Sequence, residues 1–170
     1  MNRVFLVLVS GLVMWCGFPF LFGEPPAQVK EGVGKARETQ DSDFVSPGVY
    51  DREGPYDVFT KEFPDLTDDA RKGRRVPCKV HCPKGKGPFP LVVISHGGGG
   101  NWDSNAAQAH HLASHGYVVV CTEHVFSNRD RLMRDWKSGG GGLMQVLHRM
   151  TTDPRAVLQR PLDVSFAVDT

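Results

Sequence analysis

Three observations predict an α/β fold. Residues 91–94 (Leu-Val-Val-Ile) form an unbroken apolar run between Pro90 and Gly97, and such runs mark strands buried on both faces. Residues 117–121 (Tyr-Val-Val-Val-Cys) form a second. Between them, Asp103 or Ser104 can cap a helix reaching about His115, with Ala106, Ala109 and Ala113 on one face and Gly116 where a C-terminal cap belongs. Strand, helix and strand over about thirty residues make a βαβ unit, which sets two parallel strands side by side under a helix.

The elements follow in order from the N-terminus. Residues 4–23 carry no charge, and Arg3 precedes them. A thin positive start and an apolar core over 4–18 have the form of an export signal, so residues 1–23 are expected to be a signal peptide or an N-terminal membrane anchor. The folded body is then expected to be exported: periplasmic, secreted or membrane-anchored. Residues 24–48 are polar and poor in large apolar side chains, as in a disordered linker. Residues 49–170 hold the domain. Within it, 56–63 reads as a short strand and 66–75 as a charged turn. The alternating stretch 76–82 reads as a half-buried strand stopped by Pro83. Residues 126–142 are charged and then glycine-rich, a long mobile loop. Leu143, Val146, Leu147 and Met150 recur at helical spacing, Asp153-Pro154 has the form of a cap and first helical proline, and Pro161 opens a further helical pattern with Leu162, Phe166 and Val168. That pattern reaches Thr170 without a terminator, so a truncated domain is expected.

Composition excludes several classes of function. The chain has 170 residues, 40% hydrophobic and 23% charged, with 20 Lys+Arg against 19 Asp+Glu. A net charge of +1 offers no basic field for nucleic acid. Cys78 and Cys82 lie four apart on one predicted strand, about 13 Å at ~3.3 Å per residue, too far for a disulfide or one shared metal. Free core cysteines are expected. His111 and His115 could share a helix face as zinc ligands do, but no Glu follows His111. Surface or capping roles are expected for them, with no metal site and no cofactor.

The chemistry-bearing feature is Ser95-His96-Gly97-Gly98-Gly99-Gly100, placed after a buried strand, where open α/β sheets bind ligands. A dinucleotide fingerprint fails because Trp102 holds its third glycine position, and no Gly-Lys-Ser/Thr follows to make a phosphate loop. The run fits the His-Gly-Gly-Gly loop after the third strand of α/β-hydrolases, whose backbone N–H groups bind the oxyanion of acyl transfer. Pro90 to Gly97, Leu112 to Val120, Glu123-His124, Arg75-Val76-Pro77 and Arg160 to Asp169 together resemble the platelet-activating-factor acetylhydrolase and dienelactone-hydrolase-like group of α/β-hydrolases.

The resemblance implies the N-terminal portion of an α/β-hydrolase fold, a mostly parallel sheet with flanking helices. It implies a serine hydrolase of small-molecule or lipid carboxylic esters, with Gly98 and Gly97 in the oxyanion hole. His96, Glu123 and His124 are candidates for the pocket rim, with a structural turn as the other reading of Glu123-His124 and loop organisation as the expected role of His96. Members of the group carry their nucleophile in Gly-x-Ser-x-Gly beyond the helix that begins near Pro161. No serine here has that setting: Ser95 has Val93 two residues before it, Ser114 has Leu112 and Ser138 has Trp136. The expectation is that nucleophile, acid and histidine of the triad all lie outside this chain. The alternative is a non-catalytic, membrane-tethered or degenerate α/β module.

Overall fold

The computed structural model describes the backbone of Leu6–Val9 and residues 52–170. In chain order the elements are β1 (Leu6–Val9), β2 (Val58–Phe63), β3 (Thr67–Asp68), β4 (Arg74–Arg75), β5 (Cys78–Pro83), β6 (Leu91–Ser95), α1 (Ala106–Ser114), β7 (Val118–Thr122), α2 (Arg129–Lys137), α3 (Leu143–Thr152) and α4 (Pro154–Asp169). The two apolar runs became β6 and β7, paired in parallel from Leu91↔Val118 to Ser95↔Thr122 with α1 between them in the chain. The predicted βαβ unit is therefore present. The linker over 24–48 lies outside the described residues, as does the segment 1–23 apart from the backbone of β1, which pairs in parallel with β6. Among the described residues no helix is long and apolar enough to cross a membrane.

The five-stranded sheet runs β1-β6-β7-β5-β2. It is mixed rather than mostly parallel: β1–β6 and β6–β7 are parallel, β7–β5 and β5–β2 antiparallel. A parallel neighbour needs a crossover of a dozen or more residues, usually helical. The link from β5 to β6 is instead a short loop, which reverses the chain, and the link from β2 to β5 holds only the β3–β4 hairpin and a single 3₁₀ turn at Asp69–Arg71.

The side-chain period of two divides the runs between the two faces of the sheet. One face presents Val92 and Ile94 of β6 with Val119 and Cys121 of β7 to Ala109 and Ala113 of α1, all buried. Alanines let this helix approach the sheet closely. The opposite face holds Val120 and Cys78 beside Val76, with Phe166 and Ala167 of α4 packed on them. Cys78, Cys82 and Cys121 are free, and burial pushes the thiols of Cys78 and Cys121 up to about 12.

Three expectations about helices are corrected. Residues 129–137, expected in a mobile loop, form α2. Asn128 Oδ1 accepts the Arg131 amide at 3.0 Å, and Arg131 pairs with Asp135 one turn on at 2.5 Å, so a cap and an i,i+4 ion pair outweigh the polar composition. α1 begins at Ala106 with Asn105 at the cap, because Asp103 is drawn to Lys79 Nζ at 2.5 Å and Ser104 Oγ bonds Asn101. Pro161 does not open a new helix but sits inside α4. Its missing N–H removes one helical bond, and Arg160 just before it and Asp163 two residues on are anchored on other elements strongly enough to carry the helix through.

Candidate oxyanion loop and buried polar network

The carboxyl ends of β6 and β7 place Ser95 and Thr122 side by side on the face that α4 covers. Beyond them the chain turns into loop 96–100 on one side and residues 123–128 on the other. Ser95, His96, Thr122, His124 and Ser127 are all buried, and so is Asp163, reaching down from α4. Buried polar groups must find partners, and here one connected set of hydrogen bonds satisfies them.

The bonding directions follow from the groups. Asp163 is a carboxylate that accepts from Arg74 Nε at 2.7 Å and Nη2 at 2.8 Å, and from Arg71 Nη1 at 2.7 Å. His124 Nδ1 lies 3.0 Å from Asp163 Oδ2, so this nitrogen carries the proton. His124 Nε2 is then an acceptor, and the Ser95 hydroxyl donates to it at 2.8 Å. Ser95 Oγ in turn accepts from Arg160 Nη2 at 3.0 Å. The line Arg160, Ser95, His124, Asp163 is thus donor to acceptor throughout. Burial by itself would raise the Asp163 carboxyl, but the hydrogen bonds from Arg74, His124 and Arg71 outweigh it and hold the group well below the usual carboxylate range. Burial lowers His124, outweighing its contact with Asp163, and keeps the ring neutral.

His96 is the second organiser. Its backbone begins the glycine loop, and its ring accepts the His124 backbone N–H on Nε2 at 3.0 Å while Nδ1 donates to its neighbour Gly97 O at 2.6 Å. Burial drives this imidazole down to about 4, so it too is neutral at pH 7. Neither histidine sits on a pocket rim: each is 1% exposed. Glu123 accepts from Asn128 Nδ2 at 2.7 Å and from the Trp102 amide at 3.4 Å. That is the structural turn, with Glu123 tying the far end of the glycine loop to the cap of α2.

The loop is held close to its neighbours. A Cβ on Gly98 would lie 2.3 Å from Thr151 Cγ2 of α3, and Gly99 has a φ of +75°, so a side chain is excluded at the first and strained at the second. The Gly99 amide donates to Ser127 O at 2.8 Å and the Gly100 amide to Gly97 O at 3.1 Å. Among the described residues, the amides of Gly97 and Gly98 have no acceptor. Gly98 is exposed and Gly97 half-buried.

Serine, histidine and aspartate hydrogen-bonded in this order is the arrangement that activates a nucleophile. Two features oppose that role for Ser95. It is 3% exposed, and the Arg160 guanidinium occupies its oxygen, taking up electron density that attack on a carbonyl needs. A cavity of about 550 Å³ opens beside the network, lined by Arg71, Arg74, Arg75, Val125, Phe126 and Gln159, and neither Ser95 nor His124 reaches it. His111 and His115 have ring centroids 4.6 Å apart, and no group of three His, Cys, Asp or Glu suited to a metal occurs among the described residues.

Sequence reasoning missed the joining of Ser95, His124 and Asp163, and the arginines 71, 74 and 160 around them. One signal was available. Arg160 and Asp163 are three apart, hence on one face of a helix, and an Arg–Asp pair on a face otherwise bearing Phe166 and Ala167 calls for partners inside the fold.

A model of the family platelet-activating factor acetylhydrolase, isoform II, matches residues 61–131. The match is partial, running from β2 through the glycine loop, α1 and β7 to the start of α2, and it stops short of Arg160 and Asp163. The search of curated proteins finds no match.

Proposed function

From that partial match to an esterase family, we propose that the chain is the N-terminal part of an exported serine-type carboxylic-ester hydrolase. It supplies the oxyanion loop, Gly97 and Gly98, to a small-molecule or lipid ester whose acyl carbonyl is attacked by a serine this chain does not hold. The observation that carries the reading is the pair of glycine amides without acceptors among the described residues, at the carboxyl end of β6 and inside the matched span. Fixed N–H donors of this kind stabilise the tetrahedral intermediate, each by about 2.7–4 kcal/mol. The apolar segment 4–18 supports export, and the sealed position of Ser95 supports placing the nucleophile elsewhere.

The test has two arms. The purified 170-residue chain is expected not to turn over p-nitrophenyl acetate and not to take a fluorophosphonate on Ser95. A product extended through the DNA downstream of the Thr170 codon is expected to take it on a serine in Gly-x-Ser-x-Gly. Labelling of Ser95, or downstream sequence with no such motif in any frame, overturns the proposal.

A further inference from the structure

Arg160 is half-buried and enclosed by Ser95, His96 and Ser127, and no carboxylate lies within hydrogen-bond reach of it among the described residues. Enclosing a cation is costly unless its N–H groups find acceptors. Its three contacts all lead to the glycine loop. One Nη2 bond goes to Ser95 Oγ at the end of β6, a second short one to the His96 carbonyl oxygen, and Nη1 bonds Ser127 Oγ at 2.9 Å. Ser127 in turn accepts the Gly99 amide on its own carbonyl. The start and the end of the loop are therefore both fastened through this guanidinium.

The peptide units explain what fastening does. The His96 carbonyl and the Gly97 N–H belong to one planar peptide, so a guanidinium on that oxygen both fixes the plane and draws electrons away from the nitrogen. The Gly97 carbonyl and the Gly98 N–H belong to the next, and that oxygen accepts from His96 Nδ1 at 2.6 Å and from the Gly100 amide at 3.1 Å. Each carbonyl is held inside the fold while its N–H is left without an acceptor among the described residues. Hydrogen bonds in series polarise one another, by an estimated 10–30% per bond, so the two N–H groups are strengthened as donors as well as oriented.

We propose that Arg160 is a positioning residue for the oxyanion loop, fixing and polarising the peptide that carries the Gly97 N–H and, through Ser95 and Ser127, holding in place the loop that carries the Gly98 N–H. The inference rests on the oxyanion reading of those two amides. It assigns to α4 a part in the site although the matched span ends before α4 begins.

The test uses the full chain, labelled with ¹⁵N and ¹³C, and methylphosphonate as a tetrahedral oxyanion probe. In the wild type the Gly97 and Gly98 amide resonances are expected to shift on titration. In Arg160→Met, with cooperative unfolding retained, the probe is expected to bind roughly fivefold more weakly at these amides, and Arg160→Lys to recover part of the loss. A wild-type response that Arg160→Met leaves unchanged overturns the inference and leaves the oxyanion reading standing. No wild-type response at either glycine overturns the oxyanion reading itself, and the inference with it. Should Arg160→Met fail to fold, the wild type alone decides: a scalar coupling across the hydrogen bond from Arg160 Nη2 to the His96 carbonyl carbon supports the role, and its absence overturns it.

Discussion

The two faces of the central sheet are built from the same two apolar runs and are held by different forces. On the α1 face, Val92, Ile94, Val119 and Cys121 meet Ala109 and Ala113, with His81 the buried polar neighbour, cross-strand from Val119. Close packing and loss of apolar surface to water suffice there. On the α4 face the apolar contacts of Val120 and Phe166 give way, toward the carboxyl ends of the strands, to Ser95, Thr122, His124 and Asp163. The second face shows what it takes to bury polar groups where a ligand loop starts. A single carboxylate answers two guanidiniums and an imidazole, and each donor or acceptor it organises steadies the glycine loop. Only the α1 face could be exchanged for other apolar residues of the same volume with little effect.

The sharpest way to break the contrast is to remove the shared carboxylate. Asp163→Ala leaves Arg71, Arg74 and His124 without their common acceptor, and losing one partner of a buried ionic set costs about 3–5 kcal/mol. Urea unfolding is expected to show that loss or no folded baseline, and a change below about 1 kcal/mol would mean the network is not what holds α4 down.

Acid probes the buried imidazoles without mutation, His96 and His124 on this face and His81 on the other, each lowered by burial. His96 and His124 are neutral in the fold with affinities for protons below the free value of about 6.5. The unfolded chain therefore binds protons first as pH falls, and stability drops from about pH 6.5 until the folded-state value of His96, about 4, is passed. Asp163 behaves as a depressed carboxylate: its contribution is full above about pH 3.9 and is lost below that, as pH falls toward its folded-state value. Urea midpoints at pH 7 and pH 5 are expected to differ, the acid one lower. Equal midpoints would show that the buried imidazoles are not held neutral.

For the α1 face, Val119→Ala deletes two methyl groups at a fully buried position, and about 2 kcal/mol is expected from urea unfolding. The buried His81, cross-strand from Val119, shares that face and is itself lowered by burial, so the loss is to be read at pH 7, where its imidazole is neutral. The smallest effect belongs to neither face: Asn128→Ala removes the cap of α2 and should cost about 1 kcal/mol, with helix content by circular dichroism nearly unchanged.

How much was legible in the sequence follows the same division. The runs 91–94 and 117–121, the alanine helix face and the C-terminal glycine were readable because β and α periodicities and caps are local. The glycine loop was readable because a buried strand followed by glycines has few uses. The sheet's mixed direction was not, since it depends on whether the link from β5 to β6 reverses the chain. α2 was misread as a loop because its stability comes from a cap and one ion pair, not from an apolar stripe. The continuity of α4 through Pro161 was hidden for a tertiary reason, the anchoring of Arg160 and Asp163 on distant strands.

By itself the sequence determined an α/β unit with a glycine loop at the end of a buried strand, and it placed Gly97, Gly98 and His96 at that loop. Only the tertiary structure decided what surrounds the loop. Ser95 and His124 are 29 positions apart and His124 and Asp163 are 39 apart, and no local pattern encodes such pairings. They exist because the parallel register puts the ends of β6 and β7 together and α4 crosses over them, where a low dielectric and the exclusion of water make every unpaired polar atom costly and every partner count.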